Sequence, residues 1–318
     1  MTPADLCARA EEMFAALETT IVGKRDALHL LLAAILADGH VLIEDVPGVA
    51  KTSIARAVAQ ILGLQFKRVQ FTPDLLPADL TGGFVFDQRS ATFQFRRGPV
   101  FTQLLLADEI NRAAPKTQSA LLEAMQERQV TVEGETFALV QPFLVIATQN
   151  PIELDGTYPL PEAQLDRFLI RLDIGYPSEQ QEQEILRRRR DVRTDVVVLP
   201  KLLSAQELLA MQASLEDVFV EASVERYIVT LVRATRDEPR VALGGSPRAS
   251  LALMKLARAL AALDGRSFVT PDDVKAAALP VLPHRLVLRP EHWGGRLSTR
   301  SIVQGLLDRV PAPVVEAP

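Results

Sequence analysis

Lys51 and Thr52 follow a turn containing Gly48 and open a run, 51–62, in which Ile54, Val58, Ile61 and Leu62 share one helical face. The apolar run ahead of the turn, 40–45, has the composition of a buried strand. Strand, glycine-bearing turn, Lys-Thr pair and amphipathic helix together make the setting in which backbone amides and a helix N-terminus cradle phosphates. There Pro47, Gly48, Val49, Ala50 and Ser53 would surround the phosphates, and Lys51 would reach the β and γ phosphates. Thr52 would ligate Mg²⁺ through its hydroxyl. Two residues depart from the pattern: Ala50 stands where a glycine precedes the lysine, and Asp45 takes the place of the first glycine. By itself the stretch is equally an ordinary strand-turn-helix corner.

The run 102–108 is an apolar strand that ends in Asp108, followed at once by Glu109. In that arrangement Asp108 holds a Mg²⁺ shell while Glu109 orients and deprotonates an attacking water. The run 143–148 is followed by Asn150, a neutral polar side chain placed where a sensor of water or γ-phosphate is needed. Three such strand ends in one parallel sheet converge on one crevice, the usual ligand position in open α/β folds.

Positioning these groups takes alternating strands and helices. The runs 40–45, 66–71, 102–108, 143–148 and 168–174 read as buried strands, and 51–62 and 115–128 as helices between them, the second opened by Pro115. The fold class is therefore α/β with a parallel sheet. After about residue 200 the pattern is helical. Ser204 and Glu207 form a capping box, Ser246 and Pro247 open a helix that runs to Gly265, and Thr270, Pro271 and Asp273 start another. The segment 175–200 reads as an exposed helix and a linker, its Arg187–Arg190 run a solvated face paired with the preceding glutamates. The predicted division is 1–197, 198–312 and a disordered tail, 313–318.

With 318 residues, 48% of them hydrophobic, the chain can bury a full core, and its single cysteine, Cys7, excludes an intrachain disulfide. No apolar run reaches the length of a membrane span, and the acidic N-terminus does not read as a secretion signal, which makes the cytoplasm the default location. A net charge of −5 and a pI near 5.6 argue against a constitutive nucleic-acid binder. His40, His284 and His292 have no metal-ligand spacing and read as packed or surface residues, and Trp293 as a packing residue. Two stretches, 82–100 and 128–142, read as hairpins, the first with Phe84, Phe86, Phe93 and Phe95 as contact residues and the second turning at Glu133-Gly134.

Five motifs resemble the MoxR family of AAA+ ATPases, in the subgroup with an insertion in the second helix and a hairpin before the first sensor. They are "LIEDVPGVAKT", "QFTPDLLPADLTG", "LLADEINRAAPKTQSALLEAMQERQVT", "ATQNPIELDGTYPLPEAQLDRF" and "GGSPRAS". The resemblance implies an AAA+ P-loop NTPase αβα domain with a five-stranded parallel sheet, a helical lid, ATP and Mg²⁺ as ligands, and a homo-hexameric ring whose ATP sites are shared between subunits. It makes "PGxAKT" a family variant of the phosphate loop, so Ala50 is no sign of decay. Asp45 is expected to point away from the nucleotide. By the same resemblance Arg167 is an arginine finger, with an ion pair to Asp166 or Glu162 as the alternative, and Arg248 is the second sensor. Arg112 and Lys116 face either a subunit interface or solvent. The hairpins are family-implied elements for substrates or partners, with packing on the sheet as the alternative. The implied function is chaperone-like remodelling of protein complexes, with protein clients that include a von Willebrand factor A domain partner. Alternative readings are the ATPase subunit of a magnesium chelatase and a slow nucleotide-gated scaffold.

Overall fold

The computed structural model of the protein describes residues 2–46, 48–150, 156–192, 198–295 and 297–314. Expectations for Pro47, the linker residues 193–197 and the tail residues 315–318 lie outside them. Five strands form the central sheet: β1 (Val41–Glu44), β2 (Phe66–Gln70), β5 (Leu104–Asp108), β8 (Leu144–Gln149) and β9 (Ile170–Leu172). Their order is β2-β5-β8-β1-β9 and every neighbouring pair is parallel. Two antiparallel hairpins branch from it, β3 (Gly82–Asp87) with β4 (Thr92–Arg97), and β6 (Gln129–Val132) with β7 (Glu135–Ala138).

The strands read as continuous apolar runs because both sheet faces are covered, and period-two alternation divides them between two cores. Val41, Ile43, Leu104, Leu106, Leu144 and Ile146 join one core with helices α1 (Pro3–Glu18), α2 (Arg25–Leu36) and α3 (Lys51–Ile61). Leu42, Leu105, Ala107, Val145 and Ala147 join the other with α5 (Pro115–Glu127), which follows the short α4 (Pro77–Thr81). After α6 (Glu162–Leu165) and β9, α7 (Glu179–Val192) buries none of its side chains, and Glu184 pairs with both Arg187 and Arg188 along its surface.

The remaining helices are α8 (Ala205–Ser214), α9 (Ala222–Arg236), α10 (Pro247–Leu263), α11 (Pro271–Val281) and α12 (Thr299–Arg309), with a small strand pair, β10 (Val241–Leu243) and β11 (Val287–Leu288), beside them. The expected capping box at Ser204 is present and Thr270 forms a second: the hydroxyls of Ser204 and Thr270 accept from the amides of Glu207 and Asp273, and those carboxylates accept the cap amides in return. Apolar residues of α8 to α12 belong to the same core as α1, α2 and α3, so the helical part is continuous with one face of the sheet layer.

Two expectations are corrected. The strand expected at 168–174 is only three residues long, because the carbonyls of Phe168 and Leu169 accept from Arg285 and the amide of Ile174 donates to Asp45 instead of a ladder partner. Trp293 is not packed. It is 67% exposed, its Nε1 donates to the Leu288 carbonyl, and Gly294 follows it at φ +72°.

Candidate active site

A cavity of about 330 Å³ at the C-terminal edge of the sheet is lined by Gly48, Ala50, Lys51, Thr52, Ser53, Asp108, Glu109 and Asn150. Three strands place these residues: β1 leads into the turn, β5 ends at Asp108, and β8 ends just before Asn150, which is buried. Lys51 is the first residue of α3, so the cavity lies against that helix's N-terminus, where amides without intrahelical partners and the helix dipole favour an anion. A larger cavity of about 590 Å³ shares Gly48, Ala50 and Ser53 with it and extends over Val49, Ile21, Val22 and Ile185, giving an apolar floor beside the polar end.

Asp45 does not line the 330 Å³ cavity. Its carboxylate accepts from the amides of Ile174 at 2.7 Å, Gly175 at 2.5 Å and Val46 at 2.7 Å, tying the end of β1 to the turn after β9. Lys24 holds the same turn by donating to the carbonyls of Ile174, Gly175 and Tyr176. The Asp45 carbonyl accepts from Lys51 Nζ at 2.6 Å, which sets the lysine across the turn. Burial lowers the Lys51 pKa, while the charges of Asp45, Asp108 and Glu109 oppose that shift. Ala50 has φ +64°, so the substitution for glycine carries left-handed strain rather than the negative φ that would have avoided it.

Both members of the acidic pair have polar partners. Asp108 Oδ1 accepts from the Thr148 hydroxyl at 2.6 Å and Oδ2 from Arg68 Nη2 at 2.7 Å, while Glu109 Oε2 accepts from Gln70 Nε2 at 2.7 Å and lies 3.1 Å from Arg112 Nε. Glu109 itself has φ +57°. Arg68 and Gln70 were missed by the sequence reading. They sit two residues apart on β2, and the parallel register of β2 on β5 sets Gln70 beside Asp108. Period-two spacing of polar residues in an edge strand is the signal that could have found them. Arg112 contacts Glu109, and Lys116 is exposed.

Arg167 and Arg248 lie elsewhere. They line a cleft of about 220 Å³ with His40, Lys255 and Arg285, at the N-terminal edge of the sheet, where Gly39 and His40 precede β1 and Leu169 precedes β9. Strands of four to six residues, at about 3.3 Å each, separate that edge from the first cavity by roughly 13 to 20 Å. The alternative considered for Arg167, an ion pair with Asp166 or Glu162, is not formed among the described residues. Arg167 Nε donates to Gln126 at 3.2 Å, and Asp166 pairs with Arg285 instead. His40 is buried between the Met125 carbonyl and the Val145 amide, and burial pushes its pKa down to about 3, so it remains a neutral packing residue.

The donor set fits a metal-bound nucleotide: an ammonium, a hydroxyl and a carboxylate face one cavity, and a Cβ added at Gly48 would meet nothing within 4 Å. Comparison with known proteins bears on the class. Residues 40–170 match the ATPase family associated with various cellular activities (AAA), and residues 233–305 match the AAA lid domain. A solved structure of a candidate ATPase from Cytophaga hutchinsonii superposes with a TM-score of 0.91 at 38% identity, covering 98% of this chain and 97% of that one. The fold is thus an α/β AAA+ fold with a helical lid. Among sequence relatives, the Bacillus subtilis protein YeaC is 49% identical over 92% of each chain, and Chaperone MoxR1 of Mycobacterium tuberculosis is 44% identical over 93% of this chain and 80% of that one. The chain belongs to the MoxR family of AAA+ ATPases.

Proposed function

We propose that the protein is a Mg²⁺-dependent ATP hydrolase that works as a homo-hexameric ring and couples turnover to chaperone-like remodelling of protein complexes, with residues 1–197 as its nucleotide domain and 198–312 as its lid. The observation that carries the reading is the convergence of Lys51, Thr52, Asp108, Glu109 and Asn150 on one cavity at a helix N-terminus. Lys51 would pair with the phosphates. The Thr52 hydroxyl and Asp108 would hold Mg²⁺, which screens phosphate charge when bound. Glu109 would take the proton of the attacking water, and Asn150 would orient that water. The apolar cavity beside the phosphate end suits the base and ribose.

Arg167 and Arg248 lie a full strand length from their own cavity, which supports a role at the site of the adjoining subunit, where they would neutralise charge building on the γ-phosphate. A heterologous contact that closes into a ring repeats this pairing at every boundary. Phe86 and Phe93, 50% and 69% exposed on the β3-β4 hairpin, support engagement of protein clients there.

Glu109→Gln tests the assignment. ATP binding should stay within about threefold of wild type while hydrolysis falls by about 10³ or more. Equal turnover by the two proteins under saturating Mg-ATP would favour the slow nucleotide-gated scaffold. Affinity capture with the same variant in ATP, followed by identification of the retained proteins, tests the client role.

A further inference from the structure

Asp166 stands where three elements meet. Its Oδ1 accepts from Arg285 Nε at 2.8 Å, and its Oδ2 accepts from the Ser246 hydroxyl at 3.1 Å. Ser246 is the N-cap of α10, and its oxygen accepts the amide of Arg248 at 3.2 Å. Arg285 is buried beneath the cleft, where it also donates to the carbonyls of Phe168, Leu169 and Val281, so its guanidinium fastens the start of β9 to the end of α11. Asp166 is its ion-pair partner among the described residues. A buried guanidinium needs such a counter-charge to remain in place. One carboxylate therefore joins the segment bearing Arg167, the cap of the helix bearing Arg248, and the buried cation that fastens the start of β9 to α11.

We propose that Asp166 is a positioning residue that holds Arg167 and Arg248 as a single cationic unit presented to the γ-phosphate of the adjoining subunit. The proposal rests on the reading that these arginines act across a subunit boundary. It follows that the unit responds as one body: a displacement of the lid at Arg285 or Ser246 reaches Arg167 through one side chain, without passing through the phosphate-loop side of the same subunit.

Asp166→Asn keeps the size of the side chain and an acceptor for Ser246 but removes the charge facing Arg285. In the assembled full-length protein, kcat should fall at least tenfold while affinity for a non-hydrolysable ATP analogue stays within about twofold, because the subunit's own cavity lies at the other sheet edge. Adding Arg248→Ala should cost at least tenfold in wild type and less than threefold in the Asp166→Asn background. Mixing Asp166→Asn with Glu109→Gln subunits should restore turnover, since the first contributes intact phosphate-loop sites and the second intact arginines. Recovery by an Arg167→Ala and Glu109→Gln mixture, with none from Asp166→Asn and Glu109→Gln, would overturn the positioning role and leave the shared-site reading standing. Absence of recovery in both mixtures, with subunit exchange demonstrated, would overturn both. Should Asp166→Asn fail to fold, Ser246→Ala decides: it cuts the link to α10 while keeping the ion pair, and an unchanged kcat would overturn the proposal.

Discussion

Asp45 and Ala50 occupy the two positions at which the phosphate loop departs from its glycine pattern, and they answer differently. Asp45 is built into the fold through the Ile174 and Gly175 amides, so its charge is spent on the turn after β9 and not on the phosphate cavity. Ala50 keeps a left-handed conformation that costs an alanine about 1 kcal/mol or more relative to glycine, partly offset by the greater chain entropy that glycine loses on folding. Ala50→Gly should therefore raise stability by up to about 1 kcal/mol in denaturant melts; a loss of stability would show that the methyl group has favourable contacts. Buried histidines contribute to the acid response. His40 keeps its pKa near 3 when folded, against about 6.5 when unfolded, and burial pushes His284 down as well. The unfolded chain takes up these protons first, so neither histidine affects stability above about pH 7. Each removes up to about 1.4 kcal/mol per unit as pH falls below 6.5, and for His40 the loss continues to about pH 3. Urea titrations across pH 5 to 7 should show this slope, and His40→Gln should reduce it by about one proton's worth.

At the scale of elements, the apolar runs announced the sheet because both of its faces are covered, and capping residues announced the helices of the lid. Side-chain partners were not visible in the same way. Arg68 reaches Asp108 across 40 positions through the pairing of β2 with β5, and Arg285 reaches Asp166 across 119 through the packing of the turn after α11 on the residues before β9, separations that only the tertiary fold closes. The hairpins show both kinds of information at once. Alternation put Phe84, Phe86, Phe93 and Phe95 on one face, and the register pairs Phe84 with Phe95 and Phe86 with Phe93. What alternation could not reveal is that Phe137 of the second hairpin stacks on Phe95 with ring centroids 4.0 Å apart, while Phe84 and Phe101 pack around the pair. The expected contact residues thus divide into an inner pair that packs and an outer pair exposed toward the hairpin turn. Since β6 begins just after α5, the stack links α5 to the β3-β4 hairpin. Phe137→Ala should raise amide exchange in 82–97 by at least tenfold, a loss of about 1.4 kcal/mol of local protection, with little change in the central sheet. Unchanged exchange in that hairpin would show that the two hairpins are independent.

One of the two cores runs from the sheet through α1 and α2 into the lid, and among the described residues polar clefts lie at opposite sheet edges. A shared core makes the lid and the sheet resist independent motion, whereas the clefts are separated by the length of the strands. The phosphate-side cavity contains an acid pair and one lysine, with its counter-charge partly supplied by Arg68 and Arg112. The opposite cleft is rich in cations, with Arg167, Arg248 and Lys255 on its wall. In the proposed ring, joining the phosphate-loop face of one copy to the cationic face of the next would complete a site that neither copy has alone. Turnover per subunit should then depend on protein concentration, rising from a low plateau when subunits are separated to a high one when they are assembled. The two plateaus should differ by roughly 10³ or more if the arginines act as fingers. Analogue binding, which needs only one copy's cavity, should change far less across the same dilution. Measuring both against sedimentation at each concentration separates the cases. A specific activity that stays constant while sedimentation shows the assembly coming apart would place the whole of catalysis within one copy and remove Arg167 and Arg248 from it.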